Sequence, residues 1–528
     1  MPGVESPDAP AAQALRSTAV LPPPASSAFR AHVVAIVLAL AAVALGVRFG
    51  TFAASGADAY GYVSQADLWL RGTLIVEEPL ADQAEWRYAN WTLAPFGYRP
   101  GDDRGTMVPT YSPGLPLVMA AFKAIGGADA VFYVVPLLGG LSVWLTFLLG
   151  SRLGGQEAGL IAAAALLVSP VFLFQLMWPM SDVPVSAWWL AAVVLAQSGT
   201  TIGAAAAGLA GALAILTRPN LVVLALPLLG FVIVSGPHRR TVRALACLAG
   251  LGAGPLAVAL LNRHLYGSAL ASGYGTFSTI YASAYGAVNL VNYSTWLLQT
   301  QTPFILLGCA APLLMRRDAD GRPRGIAIAC LLFAATVLAS YLWYTPFDSW
   351  TYLRFLLPAF PLMLAASAAV LTRLLRDMPW RRPAAGGLVI ALAVWGLWTG
   401  RLAFHVAEEE SRYVAAGRFA RELPGDAVIL CNQHSGSLRY YSGRITMRFE
   451  WLDPDMYQPA LDHMRSLGRP VYVVLDDWER EVFRARYSPV ADLSWLDEPP
   501  LLLAARRVYF YALPPSAPPA RRAALGYN

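Results

Sequence analysis

Four charged side chains stand out because of where they fall. Asp58, Asp182, Arg218 and Arg354 each lie at the end of a long apolar stretch. An ionic group at the edge of a hydrocarbon layer is costly unless it has a partner or a task. Asp58 follows the first apolar stretch in "SGADAYGY", and Asp182 lies in "WPMSDVP". Both carboxylates also suit helix starts. Asp58 can cap a helix running from Ala59, and Asp182 precedes Pro184, a residue at home in a first helical turn. Arg354, in "YLRFLLP", carries a guanidinium that can pair bidentately with a phosphate. It equally fits an anchor whose stem lies in lipid and whose head reaches water. Arg218, in "LTRPN", has the same two readings. Arg263 and His264, in "NRHLYGS", open a long polar loop, and a lone histidine there reads as interfacial rather than as a ligand. Tyr60, Tyr62 and Tyr111 can stack on a ring or a lipid, although tyrosines at an interface are ordinary anchors.

Other chemistries lack their residues. There is no GxxxxGK phosphate cradle and no Ser/His/Asp set. Cys247, Cys309 and Cys330 fall inside apolar stretches and Cys431 in the tail, so neither a disulfide framework nor a zinc site is expected. The patterned stretch "CNQHSGSLRYYSGR" reads as a strand, a turn and a capped helix.

The elements that must position these residues follow from composition. The chain has 528 residues, 56% hydrophobic and 14% charged, with a mean hydropathy of +0.48. A soluble domain carries about 25% charged residues, and lipid is the solvent in which so much apolar surface is cheap. Apolar stretches of helix-crossing length fall near 31–50, 129–150, 157–175, 183–198, 201–217, 220–235, 243–262, 295–314, 325–345, 354–375 and 384–404. The fold class expected is therefore an α-helical polytopic membrane protein, with about eleven spans at ~20 residues each. The net charge of +6 sits in short loops, where it sets topology and forms no nucleic-acid patch. Lys123 is the single lysine, and this Arg-, Ala-, Gly- and Pro-rich usage looks like that of a GC-rich bacterial genome.

The loops give an orientation. Arg152, the group His238, Arg239, Arg240 and Arg243, the group Arg316, Arg317, Arg322 and Arg324, and the group Arg373, Arg376, Arg381 and Arg382 all fall on one side. The positive-inside rule makes that side cytoplasmic, together with a disordered N-terminus at 1–30. The opposite side receives the long segment 51–128, the Asp182 and Arg218 turns, the loop 263–294 and the tail. Loop 265–294 is rich in Gly, Ser and Tyr, the composition of a lid or substrate-binding loop. "YSPGLPLVMAAF" ends the long segment and reads as a helix along the membrane surface. Residues 31–404 thus form the membrane domain. From 405 to 528, β-branched runs alternate with polar helical stretches, which predicts a small α/β domain with a loose end after Pro514.

Three motifs carry a family resemblance. An acidic residue opens the long first outer segment, followed by aromatics and "ADLWLRG" (Asp58, Tyr60, Tyr62, Ala66, Trp69, Gly72). "YSPGLPL" closes that segment from Tyr111 to Leu117, and "YLRFLLPAFPL" runs from Tyr352 to Leu362. In order and placement, over about 50–375, they resemble the GT-C superfamily of membrane glycosyltransferases. The likeness is to its family-39-like branch, which holds protein O-mannosyltransferases and bacterial aminoarabinose lipid A transferases. Many relatives have two adjacent acidic residues in the first outer segment, whereas Ala59 follows Asp58 here.

The resemblance implies a sugar moved from a polyprenyl-phosphate carrier to an extracytoplasmic acceptor, a cell-envelope glycan, lipid or protein. It implies Asp58 as general base in an inverting displacement. Asp182 becomes a second active-site carboxylate, and Arg354, Arg218, Arg263, Tyr60, Tyr62 and Tyr111 become substrate-binding residues. No cofactor is required, because phosphate is already a good leaving group. A divalent metal is compatible with the chemistry, but the missing second acidic residue leaves it unsupported. The expected setting is a bacterial plasma membrane. A flippase of a lipid-linked sugar would instead call for inverted repeats and charges near mid-span, neither of which is seen. A non-catalytic binder of lipid-linked sugar differs only by assay.

Overall fold

The computed structural model describes residues 25–236, 238–315 and 322–513. Expectations for residues 1–24, for Arg316 and Arg317, and for the tail after Leu513 lie outside the described residues. The first helix spans Ala25–Phe49. Its described residues include 25–30, ahead of the boundary expected at residue 30.

Each expected apolar stretch is helical. Among the described residues, six helices are long and apolar enough to cross a membrane: Ala28–Phe49, Ala128–Gly154, Arg240–Tyr266, Pro323–Leu342, Trp350–Leu374 and Arg381–Thr399. Two more stretches are bent pairs, Gln156–Leu167 with Pro170–Leu176 at 60° and Tyr285–Gln301 with Pro303–Leu314 at 105°. Both bends precede a proline, which cannot accept the preceding helix and restricts the residue before it. Hydroxyls satisfy the freed backbone groups: Phe172 N–H donates to Ser169 Oγ and Phe304 N–H to Thr302 Oγ1. Gln301 Nε2 donates to Ser169 Oγ at 2.8 Å and joins the two breaks. Asp182–Ala196, Thr201–Thr217 and Pro219–Val234 are shorter apolar helices, of which Asp182–Ala196 is almost wholly buried. Trp189, Phe147, Phe333 and Phe360 are fully buried within it.

Segment 51–128, expected on the outer side, is more structured than its composition suggests. Helix Asp58–Arg71 follows the first span and closes on Gly72 at φ 77°, a left-handed conformation that favours glycine by about 1 kcal/mol. A small antiparallel sheet follows, with β1 (Val76–Glu77), β2 (Tyr98–Pro100) and β3 (Thr106–Pro109) in the order β1-β3-β2. Helix Gly114–Gly126 completes the segment.

The tail is a five-stranded sheet with β4 (Val428–Cys431), β5 (Ile445–Arg448), β6 (Val471–Asp476), β7 (Leu502–Ala504) and β8 (Val508–Ala512). Its order is β5-β4-β6-β8-β7, with β4 parallel to both neighbours and β8 antiparallel to β6 and β7. The chain is therefore an α-helical polytopic membrane protein with a small C-terminal α/β region. Outer segment and tail share one core: Leu80, Trp86 and Leu93 pack with Met447, Phe449 and Leu461. Arg439 fastens them, with Nη1 on Glu78 Oε2 at 2.5 Å and Nη2 on the Leu93 carbonyl at 2.7 Å.

Candidate active site

Four helix ends meet where the apolar bundle joins segment 51–128. Asp58 is the first residue of helix Asp58–Arg71, and Asp182 is the first of Asp182–Ala196. The capping positions fall on Ala57 and Ser181, and both carboxylates bond side chains instead, Asp58 to Tyr111 and Arg354 and Asp182 to Arg218. Arg218 follows Thr201–Thr217, in extended backbone ahead of Pro219. Arg354 lies in a 3₁₀ stretch, Trp350–Ala359, that leads into Phe360–Leu374.

The charges alternate. Arg218 Nη2 donates to Asp182 Oδ1 at 2.5 Å. Arg354 Nη1 lies 3.9 Å from Asp182 Oδ2 and donates to Asp58 Oδ2 at 3.3 Å. Tyr111 completes the row, its hydroxyl donating to Asp58 Oδ1 at 2.5 Å. Two carboxylates and two guanidinium groups give the row no net charge, which is what a low-dielectric setting requires. Asp182 is 1% exposed, whereas the Asp58 side chain is 31% exposed. One carboxylate is thus structural in its burial, and the other can meet a solute.

Three donors and acceptors in the row are unspent. Arg218 Nη1, Arg354 Nε and Asp182 Oδ2 are buried without a hydrogen-bond partner among the described residues. These groups remain free to bond a solute that enters the row. Aromatic faces frame the cations: Arg354 lies over Tyr352 at 5.2 Å and Phe355 at 5.3 Å, and Arg218 over Phe355 at 5.5 Å. Cation–π contacts of this kind hold a guanidinium without consuming its N–H donors.

The tyrosines divide. The Tyr62 hydroxyl donates to Ser181 Oγ at 2.9 Å, and its ring lies 4.8 Å from Tyr111. Burial, and next the Asp58 carboxylate, hold the Tyr62 and Tyr111 phenols well above their ordinary pKa, so both remain donors. Gly61 makes room for Tyr111: a Cβ there would stand 2.3 Å from its ring. Tyr60 is not brought to the site. It points the other way and packs with Tyr98, Tyr440 and the backbone of Gly436. Arg263 is also elsewhere, exposed in the last turn of Arg240–Tyr266 with His264.

Two residues join the site unannounced. Ser181 takes hydrogen bonds from Tyr62 and from Arg218 Nε, the latter at 3.2 Å. Tyr274, from the Gly- and Ser-rich loop, stands edge-on to Tyr111 at 6.0 Å. That loop is tied down by Arg99, which donates to the Ser272 and Gly273 carbonyls. Among the described residues, no three His, Cys, Asp or Glu side chains are grouped to hold a metal ion.

Residues 109–266 match the family described as dolichyl-phosphate-mannose-protein mannosyltransferase. That stretch contains Tyr111, Asp182 and Arg218. No curated protein sequence matches the chain. Among solved structures, ArnT from Cupriavidus metallidurans bound to undecaprenyl phosphate is 15% identical, with 94% of this chain and 100% of that chain aligned and a TM-score of 0.58. The archaeal oligosaccharyltransferase AglB from Archaeoglobus fulgidus, in complex with an inhibitory peptide and a dolichol-phosphate, is 13% identical. Its alignment covers 90% of this chain and 72% of that chain, with a TM-score of 0.54. The chain is thus a multi-pass membrane protein with the fold of the GT-C superfamily of membrane glycosyltransferases.

Proposed function

We propose that the chain transfers a sugar from a polyprenyl-phosphate carrier to an extracytoplasmic acceptor at the cell envelope, with Asp58 as general base. The observation that carries this reading is Arg354 between two carboxylates, one buried and one reachable. A donor phosphate arriving there competes with Asp58 for Arg354 and offers acceptors to the unspent Arg218 and Arg354 N–H groups. Drawing Arg354 toward the phosphate frees Asp58 Oδ2. The freed carboxylate takes the proton of the acceptor hydroxyl as its oxygen attacks the anomeric carbon. The bond from that carbon to the phosphate oxygen breaks, the lipid phosphate leaves with the electron pair, and the anomeric centre inverts. Asp182 remains on Arg218 throughout and holds both cations in register. The undecaprenyl phosphate and dolichol-phosphate named with the two similar structures support a lipid phosphate as ligand. The arginine-bearing loops support a cytoplasmic N-terminus and an outward-facing site in a bacterial plasma membrane.

Carrier binding tests the reading directly. Arg354→Gln removes charge-assisted hydrogen bonds, each about 1.5–3 kcal/mol, so undecaprenyl phosphate should bind about tenfold to hundredfold more weakly. Native mass spectrometry of the full chain in nanodiscs reads that change. Equal affinity in the variant would overturn the phosphate role of Arg354. A chain that binds no polyprenyl phosphate would overturn the donor class.

A further inference from the structure

A cavity of about 370 Å³ opens in the outer segment and shares no residue with the Asp58–Arg354 row. Trp86, Tyr88 and Trp91 form its aromatic walls, and Glu85, Asn90 and Arg104 its polar ones. The sources of this wall are local. Tyr88 precedes the short helix Ala89–Leu93, and its backbone lies at φ 60° and ψ 26°. A bulky side chain in that left-handed conformation carries a strain of about 1 kcal/mol or more, and Asn or Gly would be cheaper. The ring it presents is 51% exposed. Trp451 of the tail extends the aromatic surface, edge-on to Tyr88 at 6.2 Å and stacked on Trp91 at 4.7 Å.

The polar walls face solvent, with Glu85 and Arg104 exposed and Asn90 half-buried. Among the described residues, the Glu85 carboxylate and the Asn90 side-chain amide make no hydrogen bond to another residue. Arg104 spends one N–H on the Ala84 carbonyl at 3.2 Å and approaches Asp82 only to 3.9 Å. The lining carries one charge of each sign, Glu85 and Arg104, and Arg104 also faces Asp82, so no unpaired cation awaits an anion there. Its chemistry suits a neutral polyol with one apolar face. A pyranose or furanose ring offers C–H bonds to an aromatic face and hydroxyls to planar amide, carboxylate and guanidinium groups.

The cavity is also coupled to the row. Pro100 lines it, and β2 carries Tyr98, whose hydroxyl donates to Ser64 of the Asp58 helix at 3.0 Å. We infer that this cavity binds a neutral sugar ring of the acceptor, so that the acceptor is a glycan chain held by the outer segment while its terminal hydroxyl reaches Asp58. The inference rests on the glycosyl-transfer reading and names its acceptor class.

The test uses the full chain in a detergent without a sugar headgroup. Neutral trisaccharides (of mannose, glucose and arabinose) and an anionic oligogalacturonate are titrated by saturation-transfer NMR and tryptophan fluorescence. At least one neutral trisaccharide should bind, with affinity lowered about tenfold in Tyr88→Asn and in Asn90→Ala, a loss of about 1.4 kcal/mol. Asn accepts the left-handed backbone, so Tyr88→Asn keeps the fold while removing the ring. Absence of neutral-saccharide binding, equal affinity in Tyr88→Asn, or tighter binding of oligogalacturonate would each overturn the inference. Asp58→Asn separates the two readings. Saccharide binding retained and transfer lost supports both. If Asp58→Asn transfers normally, the base assignment fails while the binding titration still decides the cavity.

Discussion

Replacing Asp182 by Asn asks whether the row is held by its buried end. Asp182 is 1% exposed and Arg218 13%, with the short Nη2–Oδ1 contact between them. Removing one partner of a buried ion pair costs about 3–5 kcal/mol, because the other charge stays buried and uncompensated. The amide oxygen of Asn still accepts the Arg218 hydrogen bond, which offsets about 1 kcal/mol. A loss of about 2–4 kcal/mol remains, read as a fall of several degrees in unfolding temperature by scanning fluorimetry in nanodiscs. The double variant Asp182→Asn/Arg218→Gln removes both charges, so it should recover most of that loss without recovering transfer. A single variant as stable as the parent would refute the reasoning. So would a double variant no more stable than the single one.

Further outcomes follow from the site and from the tail. Gly61→Ala puts a methyl into the Tyr111 ring and should loosen the Tyr111–Asp58 bond, lowering transfer about tenfold with little change in unfolding temperature, as a charge-assisted hydrogen bond is about 1.5–3 kcal/mol. Tyr111→Phe should match it, and a Gly61→Ala protein at full rate would remove Tyr111 from the account. Glu479 gives a pH dependence: burial pushes its pKa up from 4.5 to about 7, against the Asp476 and Gln433 N–H groups that bond to the carboxylate. Its folded pKa is raised, so the folded chain holds the extra proton, and stability of the tail should fall as pH rises from about 4.5 to about 7. Asp476 works oppositely, its pKa held down despite burial by His434 and Arg412, so its contribution is lost only on acidification below the ordinary aspartate range. Scanning fluorimetry across pH, with Glu479→Gln flattening the slope above pH 4.5, checks the assignment.

Much of the site was legible because charge is rare at the ends of apolar helices. Asp58, Asp182, Arg218 and Arg354 are such charges, and the fold brings all four together. Tyr60 and Tyr62 both stand among the stacking candidates, yet residues two apart on a helix face opposite sides. Tyr62 therefore meets Ser181 while Tyr60 meets Tyr440. Arg263 shares a place at the end of an apolar stretch with the other arginines, but long-range packing alone decides which helix ends converge. Ser181 was in view beside Asp182, and no periodicity marks a hydroxyl as a shared hinge between two partners. The sheet of the outer segment was hidden because its strands hold two to four residues, too few to show alternation. The bends at Pro170 and Pro303 carried a readable signal, a hydroxyl residue before proline inside an apolar run. The shared core of outer segment and tail joins residues more than 300 apart, as in the Arg439–Glu78 pair, and nothing local announces it.

The central claim is that Asp58 takes the acceptor proton while Arg354 takes the lipid phosphate. Release of free polyprenyl phosphate from a sugar-loaded carrier, followed by thin-layer chromatography with the purified chain and its membrane-derived acceptor, reads that step. The parent chain should release the carrier. Asp58→Asn should fold, bind the carrier and release it about a hundredfold to ten-thousandfold more slowly, the usual share of a general base. Release at the parental rate from Asp58→Asn would contradict the account.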